Sequence, residues 1–246
     1  MQKTVLKMAQ SRRLTRDVWE MVLEGDASAF THPGQFLELS LPEKFLRRPI
    51  SVASYTEDGV LLLVRAAGQG TRELVTAAPG TEFDTLTGLG NGFDLKNHGE
   101  KPILIGGGIG LAPLYGLARK FVGGGLFPTV VLGFRSAADV FYVEDFTALG
   151  CRVFVATEDG SLGVKGYVTD CIRSFVPECN YGYVCGPTPM LRAVSVLPQL
   201  SDGQFSFEAR MACGFGACMG CSIHTVSGAK RVCKDGPVFQ KGEIVW

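Results

Sequence analysis

The sequence predicts a small β-barrel, then an α/β domain built on a parallel sheet, then a short C-terminal segment rich in cysteine. Three observations carry that prediction. Six short stretches with β-branched or aromatic residues, each bounded by Gly, Pro or Asp, fill the first hundred residues. From Pro102 the pattern changes to continuous apolar runs separated by helix-length segments, as parallel strands with crossover helices require. The last forty residues, from about Phe207, carry Cys213, Cys218, Cys221 and Cys233 and are too few to form a large core alone. The boundaries are accordingly set at 1–98, 99–206 and 207–246.

Composition bounds the function classes. A chain of 246 residues suits two compact domains with an appendage, and 46% hydrophobic with 20% charged residues supplies buried cores. The 24 basic and 24 acidic residues cancel, and no long run of either sign occurs. A nucleic-acid or membrane-surface partner is therefore not expected. The N-terminal MQKTVLKMAQSRR has scattered charges and no apolar centre, so it does not read as a signal peptide. The longest uncharged stretch, Pro102 to Ala118, is broken by glycines and Pro113 and is too short to span a bilayer. A cytoplasmic location follows as an expectation, and there the eight cysteines read as metal ligands or buried thiols rather than disulfides.

The barrel strands are placed on TVLKMAQ, VWEMVLE, GQFLELSL, PISVASY, GVLLLVRAA and TEFDTLTGL. RRPIS, residues 47–51, combines a cationic side chain, a rigid proline and a hydroxyl. Arg48 can grip a phosphate, and Ser51 can bond a polar ring edge. RAAGQGTREL, residues 65–74, places Gly68 and Gly70 before a short helix beginning near Thr71, so that backbone N–H groups can face an anion. Either motif alone reads equally as an ordinary strand start or turn. Together on one barrel they point to a cofactor bearing a pyrophosphate.

In the second domain the strands are ILIGGG, TVVLGF, RVFVATE and YGYVCG, with helices on LAPLYGLARKF and TPMLRAVSVL. GGGIGLAP, residues 106–113, is a dinucleotide-type turn in which Pro113 stands near the usual third glycine. CGPTPML, residues 185–191, is expected at the same sheet edge, with Cys185 closing an apolar strand. The second strand ends in Arg135 and Ser136, where an NAD-selective domain often has an acid. This leaves NADPH open, with Asp139 and Glu144 as later acidic candidates.

Cys213, Cys218 and Cys221 have the spacing C-x4-C-x2-C, and Cys233 follows. This is the plant-type 2Fe–2S spacing, whose glycines let backbone amides approach the cluster. Gly214, Gly216 and Gly220 are expected to allow that approach and to adopt positive φ. A structural zinc site with His224 in place of one thiolate is the alternative. The remaining cysteines, 151, 171, 179 and 185, have no compact ligand spacing and read as small buried thiols.

With these motifs assembled, including LGNGF at 89–93, EARMACGFGACMGC at 208–221 and GPVF at 236–239, the chain resembles the electron-transfer subunits of the two-subunit, NAD-dependent bacterial dihydroorotate dehydrogenases, within the ferredoxin reductase superfamily. The resemblance covers essentially the whole chain. It implies FAD in the barrel, held by Arg48, Pro49, Ile50, Ser51, Leu63, Val64, Arg65, Gly70 and Thr71. It also implies NADH framed by Gly107, Gly108, Gly110, Cys185, Gly186 and Pro187, and a 2Fe–2S cluster on the four C-terminal cysteines. Ser51 and Cys185 are the candidate catalytic residues. The implied partner is an FMN-containing catalytic subunit, in a heterotetramer of two of each, serving pyrimidine biosynthesis. The small subunit of an NADH-dependent ferredoxin:NADP oxidoreductase is the related alternative, from which four-cysteine ligation is a departure.

Overall fold

The computed structural model describes residues 1–176 and 178–246. The six predicted strands close into an antiparallel barrel: β1 (Gln2–Arg13), β2 (Val18–Glu24), β3 (Phe36–Leu39), β4 (Arg48–Tyr55), β5 (Gly59–Arg65) and β6 (Glu82–Leu89), in the order β1-β2-β5-β4-β3-β6. In β6 every second residue is buried, as a strand with one face in a core requires. Leu6, Met21, Leu23, Leu37, Leu39 and Leu62 fill the interior completely buried. β1 is longer than its apolar run because β2 and β6 pair along it on both sides. The helix α1 (Gln69–Val75) starts two residues before Thr71. Thr71 instead sits in its first turn and accepts the Gly68 N–H at 3.0 Å.

The parallel sheet follows from β7 (Pro102–Gly107), α2 (Leu111–Gly123), β8 (Thr129–Phe134), α3 (Val143–Ala148), β9 (Arg152–Thr157), β10 (Val164–Lys165), α4 (Val168–Phe175), β11 (Tyr181–Cys185), α5 (Thr188–Ser195) and β12 (Asp202–Ser206). Every residue of β7 and β11 is buried, as expected of central strands covered on both faces. The C-terminal segment adds a hairpin, β13 (Ser222–Thr225) and β14 (Gly228–Arg231), then α6 (Val232–Asp235) and β15 (Val238–Gln240). β15 pairs antiparallel with β12, opposing Phe239 to Phe205, and completes the seven-stranded sheet β10-β9-β8-β7-β11-β12-β15. The cysteine segment is thus welded to the nucleotide-domain sheet.

Barrel and sheet meet on α2. This helix is apolar nearly all round, and its Leu111, Ala112, Leu114, Leu117 and Ala118 are buried together with Val18, Ala53 and Leu63 of the barrel. A side chain on Gly116 would lie 2.6 Å from the Ala53 carbonyl oxygen. Close approach of α2 to β4 therefore requires glycine there. Arg119 donates to Ser54 Oγ across the same seam, and Tyr142 Oη donates to Glu20 Oε2 at 2.6 Å.

Candidate functional site

Two clefts and one loop gather the candidate residues. The first cleft, of 270 Å³, opens between the barrel and the sheet. Pro49, Ile50 and Ser51 of β4, Leu63, Val64 and Arg65 of β5, and Thr71 of α1 form its barrel wall. Gly110, Cys185 and the stretch Ser206–Ala209 with Met211 form the other. Arg48 and Gly70 lie beside it: a Cβ on Gly70 would overlap the Arg48 guanidinium, so this glycine lets the cation lie against the first turn of α1. A cation seated on such a glycine turn, next to an elongated cleft with Ser51 on its wall, fits a dinucleotide such as FAD.

The second cleft, of 420 Å³, lies at the carboxyl ends of the parallel strands, where doubly wound sheets bind ligands. Gly107, Gly108 and Pro187 line it. Its floor shows that the two predicted loops do share an edge: Cys185 pairs with Gly106 across β11 and β7. A Cβ on Gly107 would meet Met190 Sδ at 2.6 Å, and one on Gly110 would overlap the Cys185 carbonyl. Gly186 packs at the same junction, against Gly107. Arg65 lines both clefts and pairs with Asp17 at 3.4 Å, so a residue assigned to FAD from the sequence lines the second cleft as well.

Cys185, at the meeting of the clefts, is buried; burial, reinforced by Glu208 and opposed by Ser206, pushes its thiol up to about 12. Burial thus favours the neutral thiol over the thiolate. No local spacing marks Glu208 as a site residue: it reaches the cleft by lying two residues after β12. Desolvation raises its carboxyl, with Arg65 pulling the other way.

The cysteines lie on a loop that wraps back on itself. The Cys218 N–H donates to Cys213 Sγ at 3.4 Å, and the Cys233 N–H donates to Cys221 Sγ at 3.4 Å. The Cys218 and Cys213 side chains also interact, as do those of Cys233 and Cys221, so the thiols group as two pairs. Among the described residues, no three His, Cys, Asp or Glu side chains converge as ligands of a single metal ion would. Two pairs of thiols suit two irons bridged by sulfide. Burial works to raise the Cys213 thiol, but N–H groups of Cys218, Phe215 and Ala217 and the neighbouring Cys218 thiol bring it down to about 6. Amides that favour a thiolate are the donor set a cluster needs. Cys233 is pushed up to about 12 by burial and by Cys221.

Gly214 and Gly216 adopt φ of +72° and +94°, as expected for close approach. The expectation of positive φ fails at Gly220; Met219 takes the left-handed conformation instead, at φ +61°. A Cβ on Gly214 would overlap the Glu38 carboxyl, which is buried with both oxygens unpaired. His224 is exposed, and Cys151, Cys171 and Cys179 are buried thiols, as read from the sequence. Among the described residues, no helix is long and apolar enough to cross a membrane.

Residues 208–245 match the family model of the iron-sulfur cluster binding domain of dihydroorotate dehydrogenase B, and residues 104–196 match an oxidoreductase NAD-binding domain. The chain is 43% identical to the dihydroorotate dehydrogenase B (NAD(+)) electron transfer subunit of Shouchella clausii, covering 98% of this chain and 97% of the relative. It is 42% identical to that of Listeria monocytogenes, covering 99% of each. The chain belongs to the family of dihydroorotate dehydrogenase B (NAD(+)) electron transfer subunits. For that family the fold has a solved counterpart in an NADH-dependent reduced ferredoxin-NADP oxidoreductase, with a TM-score of 0.88 at 29% identity over 99% of this chain and 90% of the other. An Amycolatopsis cytochrome P450 reductase matches with a TM-score of 0.68 at 26% identity over 78% of this chain and 64% of the other. Its lower coverage of this chain contrasts with the nearly full-length match of the electron transfer subunits.

Proposed function

We propose that this subunit oxidises NADH in the second cleft, holds FAD in the first, and delivers electrons through a 2Fe–2S cluster on Cys213, Cys218, Cys221 and Cys233 to the FMN of a catalytic dihydroorotate dehydrogenase subunit. The observation that carries this reading is the turn Gly107–Gly110, whose Gly107 and Gly108 line the second cleft while Ile109 and Gly110, with Cys185, line the first. FAD accepts a hydride as an electron pair and releases electrons singly to a cluster, so the bound groups supply the redox chemistry. The chain's part is placement.

Arg48 and the GQGT turn hold the FAD pyrophosphate, while Ser51 bonds the ring edge. Leu63 and Val64, both buried, form the apolar wall, with Pro49 and Ile50 beside them. Gly107, Gly108, Gly186 and Pro187 would admit the nicotinamide nucleotide, and Cys185 would pack against the groups bound beside the turn. The stretch from Phe207 to Met211 joins this cleft directly to Cys213, a short covalent path toward the cluster. Functionally the chain divides into an FAD part (1–98), an NAD part (99–206) and a cluster part (207–246). The assembly is a heterotetramer of two of each subunit acting in pyrimidine biosynthesis. Its compartment is the cytoplasm, in keeping with four reduced cysteines as ligands.

Phe215, Ala217 and Met219 stand exposed around the cysteines, and this apolar rim is the docking surface for the catalytic subunit. No set of residues suited to binding dihydroorotate and removing its proton accompanies these sites among the described residues. The test is a reconstitution. The chain alone should oxidise NADH with ferricyanide but not interconvert dihydroorotate and orotate; adding the catalytic subunit should create NADH-linked orotate reduction. Dihydroorotate turnover by the chain alone would overturn the division of labour. Failure of the mixture to link NADH to orotate favours the second reading, a ferredoxin:NADP partner, which the 0.88 TM-score match to that oxidoreductase supports.

A further inference from the structure

Two motifs of the sequence, LGNGF at 89–93 and GPVF at 236–239, have no part in the function described above, yet the fold brings them together. The Asn91 main-chain N–H donates to the Gly236 carbonyl at 2.8 Å. Its side-chain amide takes both main-chain groups of Val238: Oδ1 accepts the Val238 N–H at 3.1 Å, and Nδ2 donates to the Val238 carbonyl at 2.7 Å. β15 is an edge strand paired with β12, so this one amide bonds where a further strand would. Nδ2 also reaches the carbonyl of Asp235 at 3.4 Å, the last residue of the short helix α6 that carries Cys233. A Cβ on Gly90 would lie 2.5 Å from Pro237 Cδ, so the contact requires glycine there. The linker that makes this grip is itself held from both sides. Gln35 Nε2 donates to the Gly90 carbonyl at 3.0 Å on the barrel side. Gln204 of β12 accepts the Asp94 N–H at 2.8 Å and donates to the Asp94 carbonyl at 2.9 Å on the sheet side. Both glutamines are buried, whereas Asn91 between them is exposed. Its amide can therefore be removed without opening a cavity in a core.

We propose that Asn91 is a positioning residue for the electron route: it fixes the Cys233 end of the cysteine segment against the barrel and so sets the separation across which the first cleft passes electrons to the cluster. The inference rests on the functional reading of that cleft and of the cysteines. Pro237 lines the first cleft, and only α6 and Gly236 lie between it and Cys233 on the chain. Holding Asp235, Gly236 and Val238 therefore holds a cleft wall and a ligand as one piece. The other side of that piece is secured by the Phe207 N–H, which donates to the Pro237 carbonyl at 2.9 Å. Of the two electrons that NADH brings to the flavin, one passes to the oxidised cluster and the other stays on the flavin until an acceptor takes it. That passage weakens steeply with separation. Hydride transfer from the nucleotide is made at the Gly107–Gly110 turn, away from this clamp, so the two steps respond differently to its loss.

The test compares wild type with Asn91→Ala, each loaded to equal FAD and cluster content and shown to be folded by circular dichroism. Anaerobic stopped-flow mixing with NADH follows flavin bleaching, and freeze-quenched electron paramagnetic resonance follows the reduced cluster. Asn91→Ala should slow cluster reduction by about tenfold or more while flavin reduction stays within about twofold of wild type, because only the flavin-to-cluster geometry is loosened. Hydrogen–deuterium exchange read by mass spectrometry should rise across residues 232–239 and stay unchanged in β1 and β2. The assignment is overturned if exchange in 232–239 does not change, if it rises while both rates keep their wild-type values, or if both rates fall together. Wild-type protein whose flavin bleaches while its cluster stays oxidised would overturn the electron route on which the proposal rests, a failure that the exchange comparison tells apart from failure of the clamp.

Discussion

Glu38 shows how far a single residue can carry consequences between domains. It belongs to β3 of the barrel, yet its carboxyl packs on Gly214 of the cysteine loop, 1% exposed and with neither oxygen hydrogen bonded. Burial, with Cys213 adding to it and Arg47 opposing, raises the carboxyl from 4.5 to about 7. Below the ordinary carboxylate value the group is protonated folded or unfolded, and it costs nothing by ionisation. As pH climbs from 4.5 to about 7 the unfolded chain ionises and the native one resists, so stability falls over that window and stays reduced above it. Glu38→Gln abolishes this dependence. Its melting temperature relative to wild type should therefore improve from pH 5 to pH 8, by an amount equivalent to at most about 3 kcal/mol. A difference independent of pH would show that the carboxyl is not held neutral.

The same residue marks a limit of reading sites from sequence. The four cysteines are legible because cluster ligation requires a local spacing, and RPIS and GQGT because each is a continuous motif. Glu38 and Glu208 carry no such signal. Each acquires its place from a neighbour far along the chain: Glu38 from Gly214, and Glu208 from the barrel wall across the cleft.

Among the elements, α2 and the cysteine loop set the geometry. The apolar, glycine-interrupted run after β7 was readable as a helix, but not its burial against β4, which depends on the pairing of the whole barrel. Gly116→Val places a branched side chain where a Cβ would already lie 2.6 Å from the Ala53 carbonyl oxygen. It should destabilise the protein by about 1–3 kcal/mol in urea denaturation, the usual cost of overpacking. Gly123→Ala, at a position of the same helix with open space around it, is the control and should not destabilise. Equal effects from the two would mean that α2 and β4 are not closely packed. In the cysteine loop, periodicity and spacing found the glycines but misplaced one of the left-handed positions at Gly220, because the backbone reverses at Met219. β15, three residues long, is too short to show a strand pattern of its own. Its place at the edge of the parallel sheet rests on pairing with β12, a contact no local pattern announces.

At the scale of the molecule, the barrel–sheet–hairpin arrangement puts two clefts and the cysteine loop, the three proposed redox stations, in sequence. The two clefts share Arg65 and border the same glycine turn, and the stretch from Phe207 to Met211 leads from the first cleft to the first cysteine. The three-part fold class was legible because each part has its own periodicity, alternating in the barrel and continuous in the sheet. The order of the stations was not, since it depends on how α2 docks one part against another. The central claim is that a single chain conducts electrons from NADH to its own cluster. An anaerobic titration of the purified holoprotein with NADH, followed by visible absorbance and electron paramagnetic resonance, tests it most directly. The flavin absorbance should bleach and a reduced 2Fe–2S signal should grow, and in Cys218→Ala the bleaching should persist while the cluster signal is lost. Bleaching in wild type with a cluster that stays oxidised, or a protein carrying zinc in place of iron and sulfide, would contradict the account.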